Sequence, residues 1–151
     1  KTKKGALVDP GRVGEITEVK TAILQQLMKG GFVPVIAPVA VDAEGRALNI
    51  NADFVASKVA AALEAEKLVL MTDIEGVRGA DGAIVSSLDR AGVQRLVDEG
   101  VIAGGMIPKV RCALEALEGG VKKVHVIDGR MEHAALLEIF TDQGIGTEIV
   151  S

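Results

Sequence analysis

The sequence predicts an α/β fold, with a mostly parallel sheet and one inserted β-hairpin. Three observations lead there. Short apolar runs alternate with helical stretches along the chain, the pattern of strand–helix units in one sheet. The run "KLVLMT" at residues 67–72 is almost wholly apolar, as in a strand covered on both faces. A "DAEG" turn separates two strand-like runs near residue 42, which is the signal of a hairpin.

The elements follow in order. Residues 18–31 place Val19, Ala22, Ile23, Leu27 and Met28 at helical spacing before a glycine pair. "FVPVIAPVAV" reads as a buried strand broken by Pro34 and Pro38, and "RALNI" returns, giving a hairpin across 39–50. "ADFVASKVAAALEAE" is an Ala-rich helix, and the strand at 67–72 follows. An eleven-residue loop with three glycines comes next, "DIEGVRGADGA". "SLDRAGVQRLVDEG" reads as a helix entered at its Ser and left at Gly100. "VIAGG" links to the helix "MIPKVRCALEALEGG". The strand "KVHVID", the helix "HAALLEIFTDQG" and the strand "IGTEIV" complete the chain.

Composition narrows the function. With 151 residues the chain fits a single domain, 1–151, able to bury a core. A net charge of −4 and a pI near 5.2 give no electrostatic footprint for nucleic acid. Only 2% of residues are aromatic, so base stacking has no platform. Cys112 is the one cysteine and forms no internal disulfide, which fits a reducing compartment, most simply a cytoplasm. No apolar run reaches the length of a membrane span. The basic opening "KTKKG" has no signal-peptide pattern and no initiator Met.

Three places could hold chemistry. In "NINADFVASK", Asn49, Asn51 and Asp53 alternate just before a helix. Asn51 suits an N-cap and Asp53 complements the helix dipole; neither role explains Asn49. In "AGGMIPKVRCAL", Pro108 suits a first helical turn. Lys109 there sits at the wrong end of a dipole unless an anion is bound. Glycines, a helix N-terminus and a lysine suit phosphate; a solvent-exposed lysine explains the same residues equally well. In "LVLMTDIEGVRGADG", Thr72 and Asp73 end a buried strand, where open α/β sheets bind ligands. The long loop after them favours a function for Asp73, whereas Asp81 and Gly82 suit a plain turn.

Other signals are missing. No GxxxxGK[ST], GxGxxG, CxxC or HExxH pattern occurs. His125 reads as a satisfied histidine in an apolar strand, and His133 as the start of a helix.

Four stretches then resemble one family. "GEITEVKTAILQQLMKGGFVPVIAPVAVD", "LNINADFVASKVAAALEAEKLVLMTDIEGV", "VIAGGMIPKVRCALEAL" and "IDGRMEHAALLEIFTDQGIGTEIV" resemble, in order, the acetylglutamate kinases of the amino acid kinase family. The resemblance implies a three-layer α/β/α sandwich. It implies transfer of the γ-phosphoryl of ATP, bound with Mg²⁺, to the side-chain carboxylate of N-acetyl-L-glutamate. The product is N-acetylglutamyl 5-phosphate, in arginine biosynthesis. Asn49 matches the asparagine that binds acetylglutamate, with Asn51 beside it as a substrate-side candidate. Asp53 matches the aspartate that organises the catalytic lysines, and Lys109 the lysine that stabilises the transferring phosphoryl group. Thr72, Asp73, Ile74, Glu75, Gly76, Val77 and Arg78 match a nucleotide-binding strand end and loop. Val101, Ile102 and Ala103 match a second nucleotide segment. His125, Glu138 and Gly144 match an arginine effector site, while a satisfied His, a solvated Glu and a helix-ending Gly explain the same residues structurally.

The chemistry agrees with that resemblance. The acceptor is already an anion, so no general base is needed, and catalysis rests on positioning and cations. The likeness covers only the C-terminal part of the family, the ATP-binding lobe. The resemblance implies a further, N-terminal lobe with a first lysine, a glycine-rich turn and most of the acetylglutamate pocket, expected to have no counterpart in these 151 residues. An exposed sheet edge is expected where its strands would pair. The full-length family members are expected to be homo-oligomers. Two alternatives stand beside this: a sibling kinase of carrier-linked aminoadipate, and a non-catalytic nucleotide- or arginine-binding module. A Rossmann dehydrogenase lacks its glycine fingerprint here.

Overall fold

The structure is a computed structural model that describes residues 11–141 and 144–151. The basic opening "KTKKG", and residues 142–143 of the last expected helix, lie outside the described residues. The elements are α1 (Ala22–Lys29), β1 (Val39–Val41), β2 (Ala47–Asn49), α2 (Ala52–Ala62), β3 (Lys67–Thr72), β4 (Ser87–Asp89), α3 (Arg90–Asp98), α4 (Met106–Glu118), β5 (Lys123–Asp128), α5 (Ala134–Phe140) and β6 (Thr147–Val150). The chain divides into two compact units, Lys1–Val55 and Ala56–Ser151.

The second unit holds the main sheet, in the order β3-β5-β6-β4. β3 runs parallel to β5, in register from Lys67↔Lys123 to Thr72↔Asp128. β4 runs parallel to β6, and only β5–β6 is antiparallel. The mixed α/β class with a parallel-dominant sheet is therefore as the sequence predicts. After its first residue every position of β5 is buried, the mark of a central strand covered on both faces. Val110, Ala113, Ala116 and Leu117 give α4 one apolar stripe at helical spacing, and all four belong to the core. Val124, Val126 and Ile149 fill the sheet side of that core with no exposed surface. At roughly 25 cal/mol per Å², fully burying each such side chain contributes about 1.5–3 kcal/mol.

β3 is an edge strand among the described residues, and Met71 on it is 51% exposed.

The first unit contains the expected hairpin, with Val39↔Asn49 and Val41↔Ala47 paired across it. Asp42 closes its turn. Its carboxylate accepts the Arg46 and Glu44 backbone N–H groups and the side chains of Arg46 and Arg12. The buried strand expected over residues 32–41 is corrected: only Val39–Val41 is strand, and Val33 and Val35 are 88% and 96% exposed. Pro34 and Pro38 have no N–H to offer a ladder, and the pairing starts after the second of them. α1 is shorter than the expected 18–31, and none of its residues is buried.

A second correction concerns residues 87–89. They form β4 rather than the start of a helix. Asp89, not Ser87, caps α3: its backbone is extended, and its carboxylate accepts the Gly92 N–H at 2.7 Å. The last expected helix is likewise shorter, ending at Phe140.

Helix ends supply the first prediction. α1, α3 and α4 stop on a left-handed glycine (Gly31, Gly100 and Gly120) whose N–H, with the next one, satisfies the last carbonyls. α2 ends with the same pair of bonds, Glu64 N–H to Ala61 and Ala65 N–H to Ala60, yet its left-handed residue is Glu64 at φ 51°. A left-handed side chain costs roughly 1–2 kcal/mol, partly offset by the entropy a glycine loses. Glu64→Gly is expected to stabilise the chain by about 0.5–1 kcal/mol. Chemical denaturation checks this, and a lowered midpoint would contradict it.

Candidate functional site

The segment of residues 49–53 lies at the end of the hairpin. The Asn49 backbone is pinned, its N–H on Arg12 O at 2.8 Å, while its side chain is on an exposed residue. The strand stops at Asn49, so the alternation of residues 49, 51 and 53 does not continue as strand. Asn51 caps α2, its Oδ1 accepting the Asp53 N–H at 2.8 Å. Asp53 is half-buried in the first turn of that helix.

The loop after β3 lies in the second unit. Thr72 Oγ1 donates to Asp73 Oδ1 at 3.3 Å, and Asp73, Ile74 and Glu75 are exposed beyond the strand. Gly76 is buried: a Cβ there would lie 2.8 Å from Thr147 Oγ1. The same hydroxyl accepts the Val77 N–H at 2.8 Å, and the Val77 side chain enters the core. Arg78 then turns back, bonding Glu75 at 3.0 Å and the Gly82 carbonyl at 2.8 Å. Asp81 makes the plain turn its sequence suggests, accepting the Ala83 N–H. The loop is anchored through Val77 and presents Asp73 to Glu75 at the carboxyl end of a parallel strand, where ligands bind in open α/β sheets.

The other segment of the second unit runs from Val101 to Lys109. Val101 and Ile102 both donate their N–H to Leu96 O, and the Ile102 side chain is core, only 3% exposed. A ligand there would meet backbone and Ala103. Gly104 and Gly105 stand in open space, with nothing within 4 Å of a Cβ position. The Met106 and Ile107 N–H groups turn onto Ala103 and Gly104. Pro108 occupies the first turn of α4, and Lys109 follows it half-buried. Val77, Ile102 and Val110 share one core cluster, so both segments ride on the same packed base.

His125 and Glu138 are a buried pair, 5% and 7% exposed. His125 Nδ1 bonds Glu138 Oε1, and Glu138 Oε2 accepts the Ile145 N–H at 2.7 Å. Gly144 packs on that carboxylate. The glutamate expected to be solvated is therefore enclosed. His125 Nε2 has no hydrogen-bond partner among the described residues, Glu148 Oε1 lying 4.0 Å away.

One pair was missed by the sequence reading. Asp128, at the end of β5, accepts the Arg130 N–H, Nε and Nη2 at 2.8–2.9 Å. Strand-end Asp-Gly-Arg, level with Thr72, was the available signal. The Arg130 side chain, then its backbone N–H, holds the Asp128 carboxyl down at about 2. A lowered carboxyl stabilises the folded state above its ordinary pKa of about 3.9, and that contribution is lost as pH falls toward 2. An NMR titration of the Asp128 carboxyl is expected to show the low midpoint, and Arg130→Gln to raise it. A midpoint near ~3.9 in the unaltered chain would refute the fork.

Among the described residues no group of three or more His, Cys, Asp or Glu could hold a metal ion, and no helix is long and apolar enough to cross a membrane.

The chain resembles known proteins over most of its length. The amino acid kinase family profile matches residues 1–128. The acetylglutamate kinase of Citrifermentans bemidjiense is 61% identical over 142 residues, which are 94% of this chain and 49% of that relative. That of Persephonella marina is 57% identical over 145 residues, 96% of this chain and 48% of the relative. The chain thus spans about half the length of the curated relatives it matches. Among solved structures, N-acetylglutamate synthase from Neisseria gonorrhoeae, complexed with coenzyme A and L-arginine, superimposes with a TM-score of 0.87 at 31% identity, over 95% of this chain and 33% of that one. Carbamate kinase from Giardia lamblia, at 21% identity and a TM-score of 0.64 over 87% of this chain and 44% of that one, shares the fold.

Proposed function

Because the chain belongs to the amino acid kinase family, we propose that it is the C-terminal, ATP-binding lobe of an acetylglutamate kinase. The reaction is γ-phosphoryl transfer from MgATP to the side-chain carboxylate of N-acetyl-L-glutamate, in arginine biosynthesis and in a cytoplasm. The observation that carries this is 61% identity to an acetylglutamate kinase across nearly the whole chain.

The roles follow from charge. Nucleophile and phosphoryl group are both anionic, so the barrier is repulsion and charge spreading over phosphoryl oxygens. Lys109, in the first turn of α4, supplies positive charge for those oxygens. Asp53 orders lysines rather than taking a proton, because a carboxylate acceptor has none to give. Asn49, with its pinned backbone, orients the acetylglutamate, and Asn51 holds the helix start beside it. Thr72 to Arg78 and Val101 to Ala103 receive the nucleotide, chiefly through exposed Asp73 to Glu75 and backbone at 101–103. Magnesium arrives with ATP as part of the substrate. The rest of the acetylglutamate pocket, and the contacts of a homo-oligomer, belong to the half of the relatives outside this chain.

The test incubates the protein with MgATP and N-acetyl-L-glutamate and traps acyl phosphate with hydroxylamine. MgATP binding is expected from this lobe, and hydroxamate that requires both substrates would show that it also carries transfer. Absence of hydroxamate while MgATP still binds would overturn transfer by this chain alone and leave nucleotide binding. Hydroxamate formed only with a carrier-linked aminoadipate would move the substrate to the sibling class.

A second role is favoured by the synthase structure that contains L-arginine. We place arginine at His125, Glu138 and Gly144. Both Glu138 oxygens are already engaged, so a guanidinium must compete with His125 and the Ile145 N–H. Calorimetry with L-arginine, on the chain and on Glu138→Gln, decides it. Unchanged binding in the variant would rule this site out.

A further inference from the structure

The carboxyl ends of β3 and β5 bring three carboxylates, Asp73, Glu75 and Asp128, into neighbouring segments. Asp73 and Glu75 are exposed there, and Asp128 ends the neighbouring strand level with Thr72. Arg78 is tied to Glu75 and the Gly82 carbonyl. Arg130 stands in the turn that leaves β5, bonded to Asp128. The Gly129 N–H donates to Thr72 O at 2.8 Å, and a Cβ on Gly129 would come within 3.2 Å of Met71 Cβ, so this turn lies hard against β3.

We propose that Arg130, fixed on Asp128, meets the phosphate chain of a nucleoside triphosphate bound at the ends of β3 and β5. This rests on the nucleotide role proposed above and adds a residue to it. Asp128 takes the Nε and Nη2 edge of the guanidinium, which fixes its plane. A guanidinium has five N–H donors, so others remain for an anion. The Arg130 side chain is 66% exposed, so a ligand reaches it without rearranging the core. The hydrogen bonds that Arg130 donates to Asp128, and after them the fields of Asp73 and Glu75, favour the charged guanidinium. A pre-oriented guanidinium gives up little rotamer freedom when it binds phosphate, and its planar fork suits phosphate oxygens.

Calorimetry with MgATP, MgADP and adenosine on the unaltered chain, Arg130→Gln and Arg130→Lys tests this. Arg130→Gln is expected to weaken MgATP about tenfold while leaving adenosine unchanged. Arg130→Lys keeps the charge without the fork and is expected to fall between the two. Equal loss for adenosine and MgATP would mean that Arg130 only shapes the loop, which overturns the proposal. Unchanged MgATP affinity in Arg130→Gln would overturn it too, with the nucleotide role intact. No nucleotide binding by the unaltered chain would overturn both.

Discussion

In any assembly of this lobe that forms acyl phosphate, Lys109→Ala is expected to lower hydroxamate formation about 10²–10³-fold, while MgATP affinity changes by less than about threefold. The reason is when the charge is needed. A cation in the first turn of α4 adds to the positive end of that helix, so an anion held there meets both. The transferring phosphoryl group supplies the anion, and its charge spreads most in the transition state. Removing one pre-organised charge from such a site typically costs about 3–4 kcal/mol of barrier. Ground-state nucleotide binding is shared with the loop after β3 and with the backbone at 101–103, so it suffers less. Initial rates and calorimetry on the same preparations separate the two effects. A variant that loses MgATP affinity as steeply as rate would make Lys109 a binding residue only. One that keeps full rate would remove it from the mechanism.

The sequence made the second unit legible because its signals are physical constraints on a packed sheet. "KLVLMT" and "KVHVID" are strands at the predicted bounds, since runs of apolar and β-branched residues have one comfortable place in an α/β core. α4 also matches, because Gly119 and Gly120 end its apolar stripe sharply. Failures came where local pattern is silent about partners. "FVPVIAPVAV" looks like a core strand, but it has two prolines and, before Val39, no strand partner among the described residues, and Val33 and Val35 are exposed. "SLD" could begin a helix on composition alone. Only pairing with Glu148–Val150 makes it β4 and passes the cap to Asp89. Asn51 and Asp73 were readable because caps and strand ends are local. The Asp128–Arg130 fork was not, since its meaning depends on β5 lying beside β3. The enclosure of Glu138 was hidden for the same reason: a glutamate in an exposed-looking helix gives no sign of the histidine across from it.

Glu138→Ala is expected to destabilise the chain by about 3 kcal/mol and to release α5 before the rest of the unit unfolds. This helix has almost no apolar anchor. Ala134 and Glu138 are its only buried residues, while Leu136, Ile139 and Phe140 are 55%, 46% and 79% exposed. Its attachment therefore runs through one carboxylate, which joins His125 on β5 to the Ile145 N–H just before β6. Truncation leaves a buried imidazole nitrogen unsatisfied, at roughly 1–3 kcal/mol, and releases the half-buried Ile145 N–H, which costs less. The alanine also gives up the packing of Gly144 against the carboxylate. Glu138→Leu separates the two contributions, because it restores volume but neither hydrogen bond. If bonding dominates, leucine is nearly as destabilising as alanine, and amide exchange in residues 134–140 accelerates in both variants while β5 stays protected. A leucine variant as stable as the unaltered chain would show that volume, not the histidine–glutamate bond, holds α5 in place.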